Sequence, residues 1–148
     1  MSLLKLNALY QTVILEHAQA PHHQGELLGV QKTTLNNPTC GDVITVQLVV
    51  DADKINQLQF MGTGCTISQA SASVMTDVLL GHSVPEAQAL IAEFSKLVMG
   101  EPISAASQKE LGDAAVLGSV AEFPTRIRCA MLAWHAAAQG LEEASKHE

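Results

Sequence analysis

Residues 36–60 decide the fold, and they read NNPTCGDVITVQLVVDADKINQLQF. The β-branched and apolar residues at 43–50 are typical of a strand, and INQLQF at 55–60 is typical of a second one. The DADK segment between them predicts a turn, so the two strands should pair antiparallel. A short strand over residues 30–36 would extend the pair to an antiparallel meander.

Helical patterns lie on both sides of these strands. Residues 3–19 carry apolar residues at three- and four-residue spacing, which predicts a helix that ends before Pro21. The same spacing returns at residues 65–80, where Gly81 ends the helix. The segment SVPE at 83–86 is a capping box and predicts the start of another helix.

The C-terminal third of the chain predicts helices alone. Residues 103–123 indicate short helical pieces broken at Gly112 and Gly118, and Pro124 opens a last helix. Trp134, the single tryptophan, is expected to anchor this last helix to the sheet. Strands first and helices afterwards predict an α+β fold with the helices packed on one face of an antiparallel sheet.

Composition limits the class of protein. The chain has 148 residues, 47% hydrophobic and 16% charged, so we expect one folded domain over residues 1–148. A net charge of −7 argues against nucleic acid or an anionic membrane as a partner. Apolar runs stay shorter than a membrane span requires, and the N-terminus does not resemble a signal peptide. We therefore expect a cytoplasmic location.

Three cysteines carry the main functional signal. An odd count argues against a disulfide framework, so thiols are expected. Cys40 follows a turn signal and enters a strand, Cys65 follows GTG where a strand gives way to a helix, and Cys129 lies near the start of the last helix. Packing cysteines have no reason to prefer such boundaries, so we interpret these as functional thiols that reach the surface.

Two of the thiols lie where the thiolate form is favoured. The N-terminus of a helix carries a partial positive charge, which stabilises a nearby thiolate. Cys65 and Cys129 are each close to such a terminus, and Arg126 and Arg128 add fixed positive charge beside Cys129. Thiolates bind metal ions and attack sulfur.

Asp42 adds a carboxylate to the three thiols. In an extended segment Cys40 and Asp42 would point to the same side, with Gly41 between them allowing a tight bend. Three thiolates and one carboxylate make the four ligands that tetrahedral zinc prefers. However, the spacing differs from the paired C-x-x-C of a zinc ribbon, and a role for Asp42 in capping a turn stays open.

Four segments in this order resemble one known family. They are LYQTVILEHAQAPHHQG, NNPTCGD, GTGCTISQASASVMTD and FPTRIRCAMLAWHA. Together they are similar to the IscU/NifU-like iron–sulfur cluster assembly proteins, and most closely to the SufU branch. The resemblance implies an α+β fold with a three-stranded antiparallel sheet and helices packed against it. It implies the metal ligands Cys40, Asp42, Cys65 and Cys129, with Gly41, Gly64 and Arg128 beside them.

Two departures from the housekeeping IscU pattern favour the SufU branch. Those scaffolds carry a histidine before the third cysteine, whereas this chain has Arg128, which cannot coordinate a metal and is placed to offset negative charge. The IscU scaffolds also carry a segment that a specialised Hsc-type chaperone recognises. In this chain the corresponding residues are EFPTRIR, so we do not expect that chaperone as a partner. The stretch EPISAASQKELGDAAVLGSV resembles an insertion typical of SufU proteins.

The resemblance implies a zinc-bound sulfur acceptor and carrier in iron–sulfur cluster biogenesis. A SufS-like, pyridoxal-phosphate-dependent cysteine desulfurase would supply persulfide sulfur, and downstream Suf assembly proteins would follow. Such a protein could act as a zinc-dependent sulfurtransferase. Cys40 is the expected acceptor, because it alone lies on a turn away from any helix terminus. Two alternatives stay open: a scaffold on which a [2Fe–2S] cluster is transiently assembled, and a binding module with purely structural zinc.

The histidines give a weaker signal. His17 lies on the apolar stripe of the first helix and is expected to pack and to hydrogen-bond locally. His22 and His23 follow Pro21 in a loop and are expected to be solvated. A Cys–His hydrolase therefore has little support.

Overall fold

A computed structural model describes residues 3–39 and 41–146 of the chain. The elements in chain order are α1 (Leu3–Gln19), β1 (Thr33–Asn37), β2 (Asp42–Asp51), β3 (Lys54–Thr63), α2 (Thr66–Leu79), α3 (Val84–Val98), α4 (Ala105–Leu111), a 3₁₀ helix (Gly112–Glu122) and α5 (Pro124–Lys146).

The three strands form one antiparallel sheet in the order β1-β2-β3. Leu35 lies opposite Ile44 and Val46 lies opposite Phe60. Alternate residues of a strand point to the same face. One face of the sheet is buried, and it carries Ile44, Val46, Leu58 and Phe60. The α+β fold with a small antiparallel sheet is therefore confirmed.

The DADK segment forms the predicted turn between β2 and β3. Ala52 and Asp53 have φ angles of 52° and 65°, and a pair of positive φ values suits the twist of a two-residue hairpin. The first strand begins three residues later than predicted, at Thr33 rather than at residue 30.

The helices pack on the sheet and on one another around one hydrophobic core. α5 contacts β1 and β2, and α2 contacts β3 and α5. The capping box at the start of α3 is present: Ser83 Oγ accepts from the Glu86 N–H, and the Glu86 carboxylate accepts from the Ser83 N–H. This reciprocal pair satisfies two N–H groups that the first turn of a helix leaves unbonded.

Trp134 is fully buried, and both its ring stacking and its hydrogen bond involve neighbouring helices. Its ring stacks on Phe94 of α3 with centroids 3.9 Å apart and an angle of 7° between the planes. Its Nε1–H donates to Ser71 Oγ of α2 at 2.9 Å. Trp134 therefore joins α5 to α2 and α3, and the expected anchoring of α5 to the sheet by Trp134 stays a prediction.

The segment before α5 is more continuous than predicted. Gly112 ends α4 with a φ of 55°, as expected for a glycine after a helix. Gly118, in contrast, lies inside the 3₁₀ helix and does not break it. A Cβ at this position would lie 3.1 Å from the Leu97 side chain, so glycine is used for close packing against α3.

Among residues 3–39 and 41–146, no helix is both long enough and apolar enough to cross a membrane.

Candidate metal centre

Asp42 is the first residue of β2, and it is almost fully buried, with 2% of its surface exposed. Its Oδ2 accepts a hydrogen bond from the Ser68 hydroxyl at 2.6 Å. Its Oδ1 accepts from the backbone N–H of Cys65 at 2.9 Å. The start of β2 is therefore tied directly to the start of α2.

These hydrogen bonds decide the charge of the Asp42 carboxyl. Burial raises its pKa, but the hydrogen bonds from the Ser68 hydroxyl and the Cys65 N–H outweigh burial, so the pKa of Asp42 lies below its ordinary value. Asp42 is consequently ionised at neutral pH and can act as an anionic ligand.

Cys65 lies at the N-cap position of α2, in extended backbone conformation. Its side chain is partly exposed, and its Sγ lies 3.7 Å from Asp42 Oδ2 and 3.6 Å from Ser68 Oγ. Gly64 makes room for this arrangement, because a Cβ there would lie 3.0 Å from Asp42 Oδ1. The predicted position of Cys65 at a helix terminus is confirmed.

Cys129 lies in the second turn of α5 and is fully buried. Asn37 Nδ2 donates toward its Sγ at 3.9 Å, and the Sγ lies 3.9 Å from the carbonyl oxygen of Thr125. The expectation that all of these thiols reach the surface is wrong for Cys129, because α5 packs at this residue against Asn37 of β1 and Ser68 of α2.

One ligand atom from each of Asp42, Cys65 and Cys129 lies within 4.8 Å of the other two. A carboxylate and two thiolates match the donor types that zinc binds in proteins. Three elements that are distant in sequence, β2, α2 and α5, supply the three groups. The residues therefore fit a zinc ion, while their role as ligands stays a prediction.

Cys40, the fourth predicted ligand, lies outside the described residues. The chain on either side of it is described. Asn37 Oδ1 accepts from the Thr39 N–H at 3.2 Å, and the Asn37 carbonyl accepts from the Gly41 N–H at 2.7 Å. Gly41 has a φ of 77°, which glycine adopts without strain. Both ends of this short connection therefore adjoin the residues of the centre.

The two arginines of α5 differ in their surroundings. The negative charges of Cys65 and Cys129 raise the pKa of Arg126 above its ordinary value, so this exposed guanidinium faces the two thiols. Arg128, which the sequence favoured as the charge beside the ligands, lines a groove with Asn37 and Pro38. Its proposed effect on the centre stays a prediction.

Ser68 and Asn37 were missed by the reasoning from sequence. Ser68 could have been found, because it lies three residues after Cys65 in a predicted helix and such residues share a face. Asn37 had no comparable signal, since its amide reaches Cys129 across 92 residues of sequence.

Comparison with known proteins agrees with this geometry. Residues 9–130 match the family described as the NifU-like N terminal domain. The chain belongs to this family. The match includes every predicted ligand position, so the family resemblance drawn from the four segments is confirmed.

Relatives in this family carry two different descriptions. The chain is 50% identical over 145 residues to the iron–sulfur cluster assembly scaffold protein IscU of Streptococcus pyogenes serotype M1, covering 98% of this chain and 90% of the relative. It is 38% identical over 136 residues to the zinc-dependent sulfurtransferase SufU of Bacillus subtilis (strain 168), covering 92% and 91%.

A solved structure shows the same fold. The crystal structure of SufU from Fervidobacterium islandicum AW-1, described as a scaffold protein for the SUF system, has a TM-score of 0.83 and 27% identity. The similarity covers 90% of this chain and 97% of that one.

Proposed function

We propose that this protein acts in iron–sulfur cluster biogenesis as a zinc-bound sulfur acceptor and carrier. The observation that carries the proposal is the convergence of Asp42, Cys65 and Cys129 within 4.8 Å of one another, next to the connection that contains Cys40. The name of the Bacillus subtilis relative, a zinc-dependent sulfurtransferase, supports this reading.

Cys40, Asp42, Cys65 and Cys129 would hold the zinc ion. When bound, zinc keeps the coordinating thiols deprotonated at neutral pH. The chain contributes the rest: Ser68 and the Cys65 N–H hold the Asp42 carboxylate in place and ionised.

Cys40 is the proposed acceptor. Its thiolate attacks the outer sulfur of a persulfide on the donor enzyme, and a new S–S bond forms at Cys40 while the donor's S–S bond breaks. The donor cysteine leaves as a thiolate, so no external oxidant or reductant is consumed. Cys65 and Cys129 are less suited to this role, because each belongs to a helix that must remain packed.

The donor would be a pyridoxal-phosphate-dependent cysteine desulfurase of the SufS type, acting in the cytoplasm with downstream Suf assembly proteins.

A second candidate function is a scaffold for a transient [2Fe–2S] cluster on the same residues. The name of the Streptococcus pyogenes relative supports that candidate.

A desulfurase assay tests the proposal. Sulfide or alanine production from cysteine should rise severalfold when the zinc-loaded protein is added, and Cys40→Ser should abolish the increase. A colourless zinc protein without effect on the desulfurase would overturn the carrier function. A brown protein whose visible absorption is lost on transfer to an acceptor would favour the scaffold.

A further inference from the structure

A second cluster of metal-binding side chains lies away from the cysteines, where the end of α1 meets α2. His17 comes from α1, His22 from the loop that follows it, and Asp77 from α2. One ring nitrogen of each histidine and one carboxylate oxygen of Asp77 lie within 4.8 Å of one another. His17 is buried and His22 is exposed, as the sequence predicted, but the hydrogen-bond partner of His17 is Ser73 of α2 and not a residue nearby in the chain.

Ser73 holds the two imidazoles in position. Its Oγ lies 2.7 Å from His17 Nδ1 and accepts the backbone N–H of His22 at 2.8 Å. The rings lie with centroids 4.6 Å apart. His17 is 4% exposed and half of the His22 side chain is exposed, so one ligand is anchored in the protein while the other meets solvent. A metal ion would therefore have one ligand held in place by burial and one ligand accessible from solvent.

Two carboxylates complete the surroundings. The Asp77 carboxylate contacts His22 Nδ1 directly, and its Oδ1 lies 3.6 Å from His23 Nδ1. Asp113 of the 3₁₀ helix places its Oδ2 3.4 Å from His17 Nε2. Asp77 and Asp113 also line one surface cavity of about 210 Å³.

Two contacts at the edge of the cluster are longer than ordinary hydrogen bonds. N–H···O bonds span about 2.7–3.2 Å between heavy atoms, and the contacts of 3.4 Å and 3.6 Å are longer than this. Two nitrogen or oxygen ligands that bind one tetrahedral ion at about 2.0–2.1 Å lie roughly 3.4 Å apart. The two longer contacts join His17 to Asp113 and Asp77 to His23, so the neighbouring donors are spaced like ligands of one ion. His22 and Asp77 hydrogen-bond each other directly, and an ion bound by both would replace that hydrogen bond.

We propose that His17, His22 and Asp77 form a second site for a divalent transition metal, with His23 and Asp113 as neighbouring donors. Imidazole and carboxylate groups without sulfur suit zinc, ferrous iron or nickel and do not depend on thiol chemistry. The site joins α1 to α2 and the 3₁₀ helix, so a bound ion stabilises this junction. It is independent of the sulfur-carrier function proposed above.

Zinc stoichiometry tests this site. After equilibration with zinc and removal of free metal, elemental analysis should find two zinc ions per chain in the wild type and one in His22→Ala or Asp77→Asn. The matched control is His135→Ala, which removes a partly exposed histidine of α5 and should keep two ions. One zinc per wild-type chain, or two in both cluster variants, would overturn the proposal.

A second measurement does not rely on the folding of a variant. Long-range ¹H–¹⁵N spectra of the histidine side chains are recorded while zinc is added to the wild-type chain, already loaded with one equivalent. The second equivalent should shift the ring nitrogens of His17 and His22 and leave those of His135 unchanged. Shifts confined to other histidines would contradict the assignment. Desulfurase stimulation, which tests Cys40, should be the same with one or two ions bound.

Discussion

The Ser68 hydroxyl donates to Asp42 Oδ2 at 2.6 Å, and this contact joins the first turn of α2 to the first residue of β2. The same carboxylate accepts the Cys65 N–H through its other oxygen. Asp42 is therefore oriented by two donors before any metal binds. The thiol of Cys65 and the carboxylate of Asp42 consequently occupy fixed relative positions in the fold.

Ser68→Ala should weaken zinc binding and lower stability. Without the hydroxyl, the buried carboxylate loses a partner and the pKa of Asp42 rises. An unsatisfied buried group costs about 1–3 kcal/mol, more when it is charged. Zinc competition with a chelator and thermal melting measure the two effects. Ser107→Ala is the control, because it removes a hydroxyl of α4 that is hydrogen-bonded to Ser104. This variant should change neither zinc affinity nor melting temperature. Equal losses in both variants would refute the role of Ser68.

Gly64→Ala should displace the Asp42 carboxylate. The added Cβ would lie 3.0 Å from Oδ1 and 3.1 Å from the Ser68 Cβ, so the carboxylate must shift. We expect a loss of zinc affinity greater than the loss of folding stability. Gly118→Ala is the matched control, because its Cβ would meet the Leu97 side chain at 3.1 Å, in α3, which supplies none of the predicted ligands. Should Gly118→Ala release zinc as readily, steric strain in general would explain the result.

Arg126→Ala should slow thiol chemistry in the metal-free protein. The guanidinium of Arg126 interacts with Cys65 and Cys129, which raises its own pKa, and a fixed positive charge beside a thiol promotes its reaction with alkylating agents. Alkylation of the partly exposed Cys65 by iodoacetamide should therefore be slower in the variant, and the difference should shrink in high salt because the charge is exposed. Arg128→Ala is the comparison, and a larger effect there would show that the sequence-based choice of Arg128 was correct.

His135→Gln should flatten the stability profile at mildly acidic pH. Although much of the side chain is exposed, partial burial lowers the pKa of His135. The unfolded chain, with a histidine pKa of about 6.5, therefore binds this proton at higher pH than the folded chain does. Wild-type stability is full above that value and falls as the pH drops toward the folded pKa. Urea unfolding at a series of pH values measures the slope; an unchanged slope in His135→Gln would contradict this assignment.

Much of the fold could be predicted from the sequence because its signals are local. Alternating apolar residues predicted β2 and β3, and the SVPE segment predicted the start of α3; the structure has all three. Gly118 was misread as a helix break, because a glycine that allows close packing looks the same in sequence as one that ends a helix.

The candidate site was predictable in its donors and less so in its surroundings. Asp42, Cys65 and Cys129 could be named because each lies in a recognisable segment, and the structure brings their ligand atoms together. Contacts across long sequence separations, such as Asn37 with Cys129 or His17 with Ser73, leave no periodic pattern. For the same reason the histidine cluster was not foreseen.

Locating the persulfide shows whether Cys40 accepts sulfur. The zinc-loaded protein is incubated with a cysteine desulfurase and cysteine, the thiols are trapped by alkylation, and the peptides are analysed by mass spectrometry. We expect one added sulfur atom on the peptide that contains Cys40, and none in Cys40→Ser. An added sulfur on the peptides of Cys65 or Cys129, with Cys40 unmodified, would contradict it.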